Sequence, residues 1–565
     1  MKIKIFIISF FILIWVDTSF AKDYSVSYCS SLEKVFIDGD HGSAMGSTMW
    51  PVTIQAAQNE YEGFQIIVKA LTKNLTDVKV TANKFQDAKG HILPATCFSI
   101  HPVGYVHIVN PSGKLSGSYV GWWPDPILGF LQSVDVAQGK FQPFFVSIHI
   151  PKDQVAGVYS GLLTVKTAQS APESIRVSIQ VWNFRIPDQP SLPTVLGLYT
   201  SSISKIYGNL YDEKLKEKYY NFLLNYKISP DNLYSGADYL DILARLKTSR
   251  WIGMLSLAHA PFLWEKDFDQ KFNDFLEKAQ QRYVAFQEKK LIKNAYFYIF
   301  DEVESSHKQK MKESFQRIKQ KFPNIPIMTT SVPLDDMGDY PNVDYVVAMY
   351  DARFGIYQNT VIANARREGK KVFWYVSNYP GELNFAIENP LLNIRILMGA
   401  DAAKYRPDGF LYWAISRWTI APSTNTNPIQ SGPLTQWDPQ SLENYNGCGS
   451  WFYPGPDGPI SSLRLEAYRD GVEDYEYYMI LQKLIEEKQD VVPANVIENA
   501  RAILAVSPNI LQDTNPVNFV RSPQIFYNER QRLAEAILSL EDLTQSGGQD
   551  SHPPAPPTGV HINQN

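Results

Sequence analysis

The stretch Tyr296-Phe297-Tyr298-Ile299-Phe300-Asp301-Glu302-Val303-Glu304 decides how this chain is read. Its first five residues are aromatic or apolar without interruption, the pattern of a buried strand. The run passes directly into three carboxylates. In a parallel barrel the C-terminal ends of the strands open into the working face, so acids abutting a buried strand at that end are candidates for chemistry.

Outward from this strand the same rhythm repeats. Strand-like runs are expected near Val195–Tyr199, Pro230–Tyr234, Ile252–Leu257, Ala295–Phe300, Ile325–Thr330, Tyr345–Met349, Val372–Val376 and Gly409–Ala414. Amphipathic patterns predict helices over Glu213–Leu224, Phe272–Glu288, Lys308–Lys321, Gln358–Glu368 and Pro390–Tyr405. Alternation of this kind builds βα units around a parallel sheet, and eight strands suit a TIM-like (β/α)8 barrel. A doubly wound open sheet is the competing architecture. Further helices are expected over Ser461–Glu487 and Pro523–Leu540.

Before Pro190 the pattern is different. Phe64–Val68, Phe144–Ile150, Ala156–Val165 and Ile175–Val181 are short, rich in β-branched and aromatic residues, and separated by turn residues. No convincing helix interrupts them, so an all-β sandwich is expected. The chain thus divides into a signal peptide over 1–21, a β-sandwich over 22–190, a barrel with C-terminal helices over 191–543 and a disordered tail over 544–565.

Lys2 and Lys4 precede the apolar run Ile5 to Val16, and Ser19-Phe20-Ala21 has the form of a cleavage site. That run is short of the roughly 20 residues a spanning helix needs, so a cleavable signal and a secreted or periplasmic protein are expected rather than an anchor. No second run is long enough to span. A net charge of −5 without a long basic block gives no reason to expect a nucleic acid partner. The nine histidines are scattered and the three cysteines, Cys29, Cys97 and Cys448, have no zinc spacing, so no metal or other cofactor is expected. A Cys29–Cys97 bridge is open in an oxidising compartment.

Breaking a glycosidic bond needs a proton donor to the leaving oxygen and a group that stabilises a cationic sugar, and two carboxyls of unequal environment supply both. Asp301 and Glu302 are the candidates. Consecutive strand side chains point to opposite faces, so the pair can share a cleft only where the strand ends and turns. The other reading is that Asp301-Glu302 starts a helix, as Asp212-Glu213 does. Trp374, Tyr375 and Trp413 fall near strand ends and are candidates for a sugar platform or, equally, for core. Tyr350 and Asn378, in similar positions near loops, are candidates to hydrogen-bond sugar hydroxyls or an acetamido group. Arg464, Glu466, Arg469, Asp470, Glu473 and Asp474 have helical spacing suited to i,i+3 and i,i+4 ion pairs, with Arg464 a candidate near the site.

The chain resembles glycoside hydrolase family 123. The resemblance rests on Asn59–Gln65, Gln142–Phe145 and Gly121-Trp122-Trp123-Pro124-Asp125-Pro126 in the sandwich, and on Asp301-Glu302, Trp374-Tyr375 and Asp408–Trp413 in the barrel. It closes with Tyr453-Pro454-Gly455 and Ser462–Glu476. It implies an exo-acting, retaining β-N-acetylgalactosaminidase-like hydrolase of oligosaccharides or glycoconjugates. The substrate's acetamido oxygen would attack the anomeric carbon, Asp301 would orient that group, and Glu302 would serve as general acid and then base. One departure is Gly447-Cys448-Gly449 where the family often has Gly-Asp-Gly. A glycosidase of sugars lacking an acetamido group, and a non-catalytic carbohydrate-binding protein on the same scaffold, are the alternatives.

Overall fold

The computed structural model describes residues 22–39, 46, 52–112, 119–418, 437–440, 445–512 and 518–545. The expected signal peptide over 1–21 lies outside them, as does the expected tail beyond Gln545, where the last helix, Pro523–Gln545, ends.

The N-terminal region is all β. One sheet orders the strands Tyr24–Ser30, Tyr61–Ala70, Phe141–His149, Phe98–Ile108 and Gly121–Ile127. The second is built on Val52–Gln58, Glu173–Arg185, Gly157–Lys166, Leu75–Ala82 and Val134–Val136. Alternate residues of the two sheets share a core: Phe64, Ile66, Val146 and Ile148 meet Val80, Leu163, Val177 and Ile179. The other face of the first sheet is covered too, with Val103, Ile127 and Phe145 packed into the core of the C-terminal domain. Burial on both sides explains why Tyr61–Ala70 is buried almost throughout. No disulfide joins Cys29, Cys97 or Cys448.

The C-terminal domain holds a seven-stranded parallel sheet curled into a nearly closed barrel. Its order is Thr194–Leu196, Phe410–Tyr412, Lys371–Tyr375, Tyr345–Met349, Ile327–Thr329, Ala295–Tyr298 and Leu255–His259. Inward-facing Val195, Tyr296, Met328, Val347, Phe373 and Leu411 fill the interior. The second of the eight expected strands, Pro230–Tyr234, does not form. Between the two ends of the sheet it makes one bridge, Asp231 to Gly197. The physical reason is a side chain in place of a ladder: Asp231 Oδ1 accepts the Ser256 amide at 2.7 Å, and Oδ2 accepts the Tyr296 hydroxyl at 2.6 Å.

Helices cover the barrel. Asp212 caps the helix Glu213–Asn225 by accepting from Leu215 N at 2.8 Å, as an Asp at that position should. The helix Leu463–Lys488, capped by Ser462, is buried over its first half between the barrel and the first sheet. Its Gly471 lets the helix Leu391–Ile396 cross closely, since an added Cβ would stand 3.1 Å from Arg395 Cα. The charges on this helix bond outward rather than along it. Arg469–Glu466 is an i,i+3 pair, but Arg464 binds Asp125, Asp474 binds Arg395 and Arg530, and Arg395 in turn binds Glu62 in the first sheet. No helix among the described residues is long and apolar enough to cross a membrane.

Candidate active site

The strand Ala295–Tyr298 ends at the barrel mouth and the chain turns sharply. Phe300 and Glu302 both take left-handed backbone conformations, with φ of 59° and 48°, which bulky residues seldom adopt. Such a backbone costs on the order of 1 kcal/mol or more per residue and persists only where its surroundings hold it. Three consecutive hydroxyls at the end of the next strand, Thr329, Thr330 and Ser331, do so. Thr329 and Ser331 donate to the Phe300 carbonyl at 2.9 and 3.1 Å, while Thr330 and Ser331 accept the amides of Glu302 and Val303 at 3.0 and 2.8 Å. The turn lets two consecutive side chains reach the inner side of the barrel. The pair does not start a helix, since the following α-helix begins at Lys308.

The two carboxyls are treated differently. Asp301, half-buried, accepts three hydroxyls: Tyr298 at 2.6 Å and Thr330 at 2.9 Å on Oδ1, Tyr234 at 3.0 Å on Oδ2. Three donors converging on one carboxyl fix the position of the group. Glu302 is exposed, and its Oε1 accepts from the Tyr375 hydroxyl. Burial, reinforced by the neighbouring acids, holds the Tyr234, Tyr298 and Tyr375 phenols well above their ordinary range. They stay donors. The His259 ring lies 5.7 Å from Tyr234 and 6.0 Å from Tyr298, and burial pulls it down to about 4 against the pull of Asp301. It is a neutral imidazole above that pH.

Strand phase sorts the remaining candidates. Tyr375 follows Phe373 on the inner face and meets Glu302. Trp413 stands just past the strand Phe410–Tyr412, half-buried against the main core of the domain, with the Arg417 guanidinium over its ring at 5.3 Å. Asn378 lies three residues past Tyr375, half-buried, and accepts from the Ser377 hydroxyl at 3.1 Å. Three expectations are corrected. Trp374 and Tyr350 are 0% and 1% exposed and pack on each other, centroids 4.1 Å apart, in the outer layer against Tyr405 and Phe354. They are one residue out of phase with the inner face. Arg464 is fully buried, and its donors are spent on Asp125 and on the carbonyls of Phe385 and Gly447.

Sequence reasoning missed Tyr234, His259, Tyr298 and the Thr329-Thr330-Ser331 clamp. Tyr298 had a signal: Tyr296 and Tyr298 alternate with Phe297 and Ile299, which places a hydroxyl series on one face of the strand that ends in the acids. Among the described residues no cluster of three or more His, Cys, Asp or Glu is placed to hold a metal ion.

Residues 253–481 match the family model for the glycoside hydrolase 123 catalytic domain, and residues 46–167 match that for the glycoside hydrolase 123 N-terminal domain. The chain belongs to glycoside hydrolase family 123. As a family 123 enzyme it is a glycoside hydrolase, and its substrate is a carbohydrate. The fold agrees: a family 123 glycoside hydrolase from Clostridium perfringens superposes with a TM-score of 0.69 over 93% of this chain and 100% of that one, at 12% identity. A GH2 β-galacturonidase from Eisenbergiella tayi is far less similar, with a TM-score of 0.34 at 10% identity over 73% of this chain and 69% of that one. No curated protein matches the chain.

Proposed function

We propose that this family 123 enzyme is an exo-acting, retaining hydrolase of terminal 2-acetamido-2-deoxy-β-hexosides of the N-acetylgalactosamine kind, working by substrate assistance. The observation that carries the reading is the unequal bonding of two adjacent carboxyls. Asp301 Oδ1 is taken by two hydroxyls and Oδ2 by one, so Oδ2 keeps an acceptor site for an acetamido N–H. An anion there aligns the acetamido oxygen with the anomeric carbon and stabilises the positive charge that develops on the group. Glu302, exposed and steadied by Tyr375, protonates the leaving oxygen as the C1–O bond breaks and the oxazolinium ring closes. It then takes a proton from the water that opens the ring at C1, which returns the original configuration. A direct double displacement asks for two carboxyls about 5 Å apart on opposite sides of the sugar, a demand that consecutive residues of one turn meet poorly.

Tyr375, Asn378 and Trp413 are the side chains we assign to the terminal sugar. The Clostridium perfringens enzyme was studied for glycolipid glycan hydrolysis, and terminal sugars of glycans are the class we extend to this chain. We read the barrel as a (β/α)8 form in which the segment around Asp231 stands for the missing strand. The protein is exported, with 1–21 as its cleaved signal.

Nitrophenyl glycosides test the reading. N-acetyl-β-galactosaminide should be hydrolysed and plain β-galactoside should not, and a thiazoline mimic of the oxazolinium should inhibit. Glu302→Gln should lose hydrolysis of substrates with poor leaving groups. A preference for plain galactoside, or full activity of Glu302→Gln, refutes it.

A further inference from the structure

The loop after the strand Leu255–His259 carries two rings whose placement the packing of the fold does not explain. Phe262 and Trp264 are 37% and 63% exposed while Leu263 between them is buried, so the loop turns both rings to the solvent side. They stack on each other with centroids 4.7 Å apart and planes 15° from parallel. Leaving a tryptophan this exposed forgoes the burial that usually makes such a ring worth having. The loop nonetheless holds them firmly. The Glu265 carboxylate accepts the Phe262 amide at 2.8 Å, the Glu265 amide donates back to the Phe262 carbonyl at 3.0 Å, and Lys271 pairs with the same carboxylate at 2.8 Å. The pair also adjoins the site. His259 lies edge-on to Phe262 at 5.6 Å, and its other neighbours are Tyr234 and Tyr298, the two phenols that bond Asp301.

We propose that Phe262 and Trp264 form a binding platform for a pyranose in the leaving group, the first sugar beyond the bond that is cut. The proposal rests on the exo-acting reading above. In an exo-acting site the terminal sugar occupies the pocket, and the part of the substrate that stays toward solvent is the leaving group. A ring surface held rigidly at the mouth and open to water matches that part rather than the terminal sugar. A pyranose offers a flat, apolar C–H face of the size of an aromatic ring, and an aromatic surface gives it van der Waals contact while its hydroxyls remain hydrated. The platform makes the enzyme selective for glycans over glycosides with small aglycones.

The test compares two substrates with one terminal sugar. In a β-glycosyl fluoride the leaving group has no ring, and in an oligosaccharide it is a pyranose. The readout is the ratio of kcat/KM, oligosaccharide over fluoride. Trp264→Ala should lower that ratio roughly five- to tenfold, and Phe262→Ala should lower it in the same direction. Trp264→Phe, which keeps a ring, should restore most of it. Equal losses on both substrates would put Trp264 in the terminal-sugar pocket or in the fold, and an unchanged ratio would leave the rings without a sugar to bind; either result overturns the platform. Should a plain galactoside turn out to be the substrate, the same pair is made with galactose. The acetamido reading then falls while the ratio still decides the platform.

Discussion

At Asp301 one carboxylate accepts three hydroxyls, and that bonding determines what a substitution does. Asp301→Asn keeps the volume but removes the charge, and it turns an NH2 toward at least one hydroxyl that was donating to an oxygen. The side chain is half-buried and bordered by rotatable hydroxyls, so the fold should absorb the change. Catalysis should not. The expected outcome is a fall in kcat of about a hundredfold or more on acetamido substrates, with a thermal midpoint close to the parent's, read by nitrophenyl kinetics beside calorimetry. A loss of stability equal to the loss of rate would assign Asp301 to the fold instead. The two acids were legible in the sequence because a buried strand ran straight into them. Tyr375 was named together with Trp374 and Tyr350 because all three stand near strand ends, and proximity to an end does not give phase. A shift of one residue turns a side chain to the other face of a sheet, which is the whole difference between Tyr375 beside Glu302 and Trp374 against Tyr405.

Elements whose pattern and boundaries agreed were readable to the residue. Tyr345–Met349 and Lys308–Lys321 form as expected, because a clean apolar run and a clean amphipathic period leave little choice. The expected helix over Gln358–Glu368 begins earlier, at Ala352, where Asp351 accepts from Arg353 N, and it passes through a π turn over Gln358–Ile362. The helix Ala494–Leu504 was missed. The second barrel strand failed for a different reason, since Asp231 supplies with its side chain what a ladder would supply with backbone. This makes Asp231 a structural residue with a large expected effect. Asp231→Ala leaves the Ser256 amide and the Tyr296 hydroxyl, both fully buried, without their acceptor. At roughly 1–3 kcal/mol for each buried orphan, stability should fall by about 2–6 kcal/mol, and amides near the opening of the barrel, Ser256 first, should exchange faster with solvent. Asp231→Asn, which keeps one acceptor oxygen, should lose about half as much. Both changes are read by urea unfolding and hydrogen exchange.

For the molecule as a whole, the decisive feature is that sandwich and barrel meet across buried charge. Arg395 is fully buried and bonds Glu62 from the first sheet at 2.8 Å and Asp474 from the long helix. Removing one partner of a buried pair leaves the others uncompensated, at a cost of about 3–5 kcal/mol, so Arg395→Met should lower the unfolding free energy read by urea titration by that measure. The two domains should still unfold in one transition, since no smaller unit keeps these charges paired. Glu473 extends the argument to pH. It is buried, accepts the Tyr61 amide at 3.0 Å, and has Lys227 only at 3.9 Å. Burial pushes it up to about 8, with Lys227 and Arg469 opposing. Its ordinary value in an unfolded chain is about 4.3, so between those limits the folded state holds a proton that the unfolded state has released. Its contribution to stability is therefore complete in acid, declines as pH rises, and is lost above about 8. His259 and His149, both drawn down to about 4 by burial, act with the opposite sign, losing stability as pH falls from about 6.5, and have finished by neutral pH. Glu60 and Asp231, pushed up to about 7 by burial, titrate in the same interval as Glu473, from pH 6.5 to 8, so the difference between variant and parent, not the interval, isolates Glu473. Glu473→Gln imitates the protonated form at every pH, so the variant should gain on the parent by on the order of 1–2 kcal/mol across that interval. Calorimetric midpoints at pH 6.5, 7.2 and 8.0 would show the two curves separating; parallel curves would mean that Glu473 is already charged in the folded enzyme at neutral pH, held by Lys227 and Arg469 against its burial.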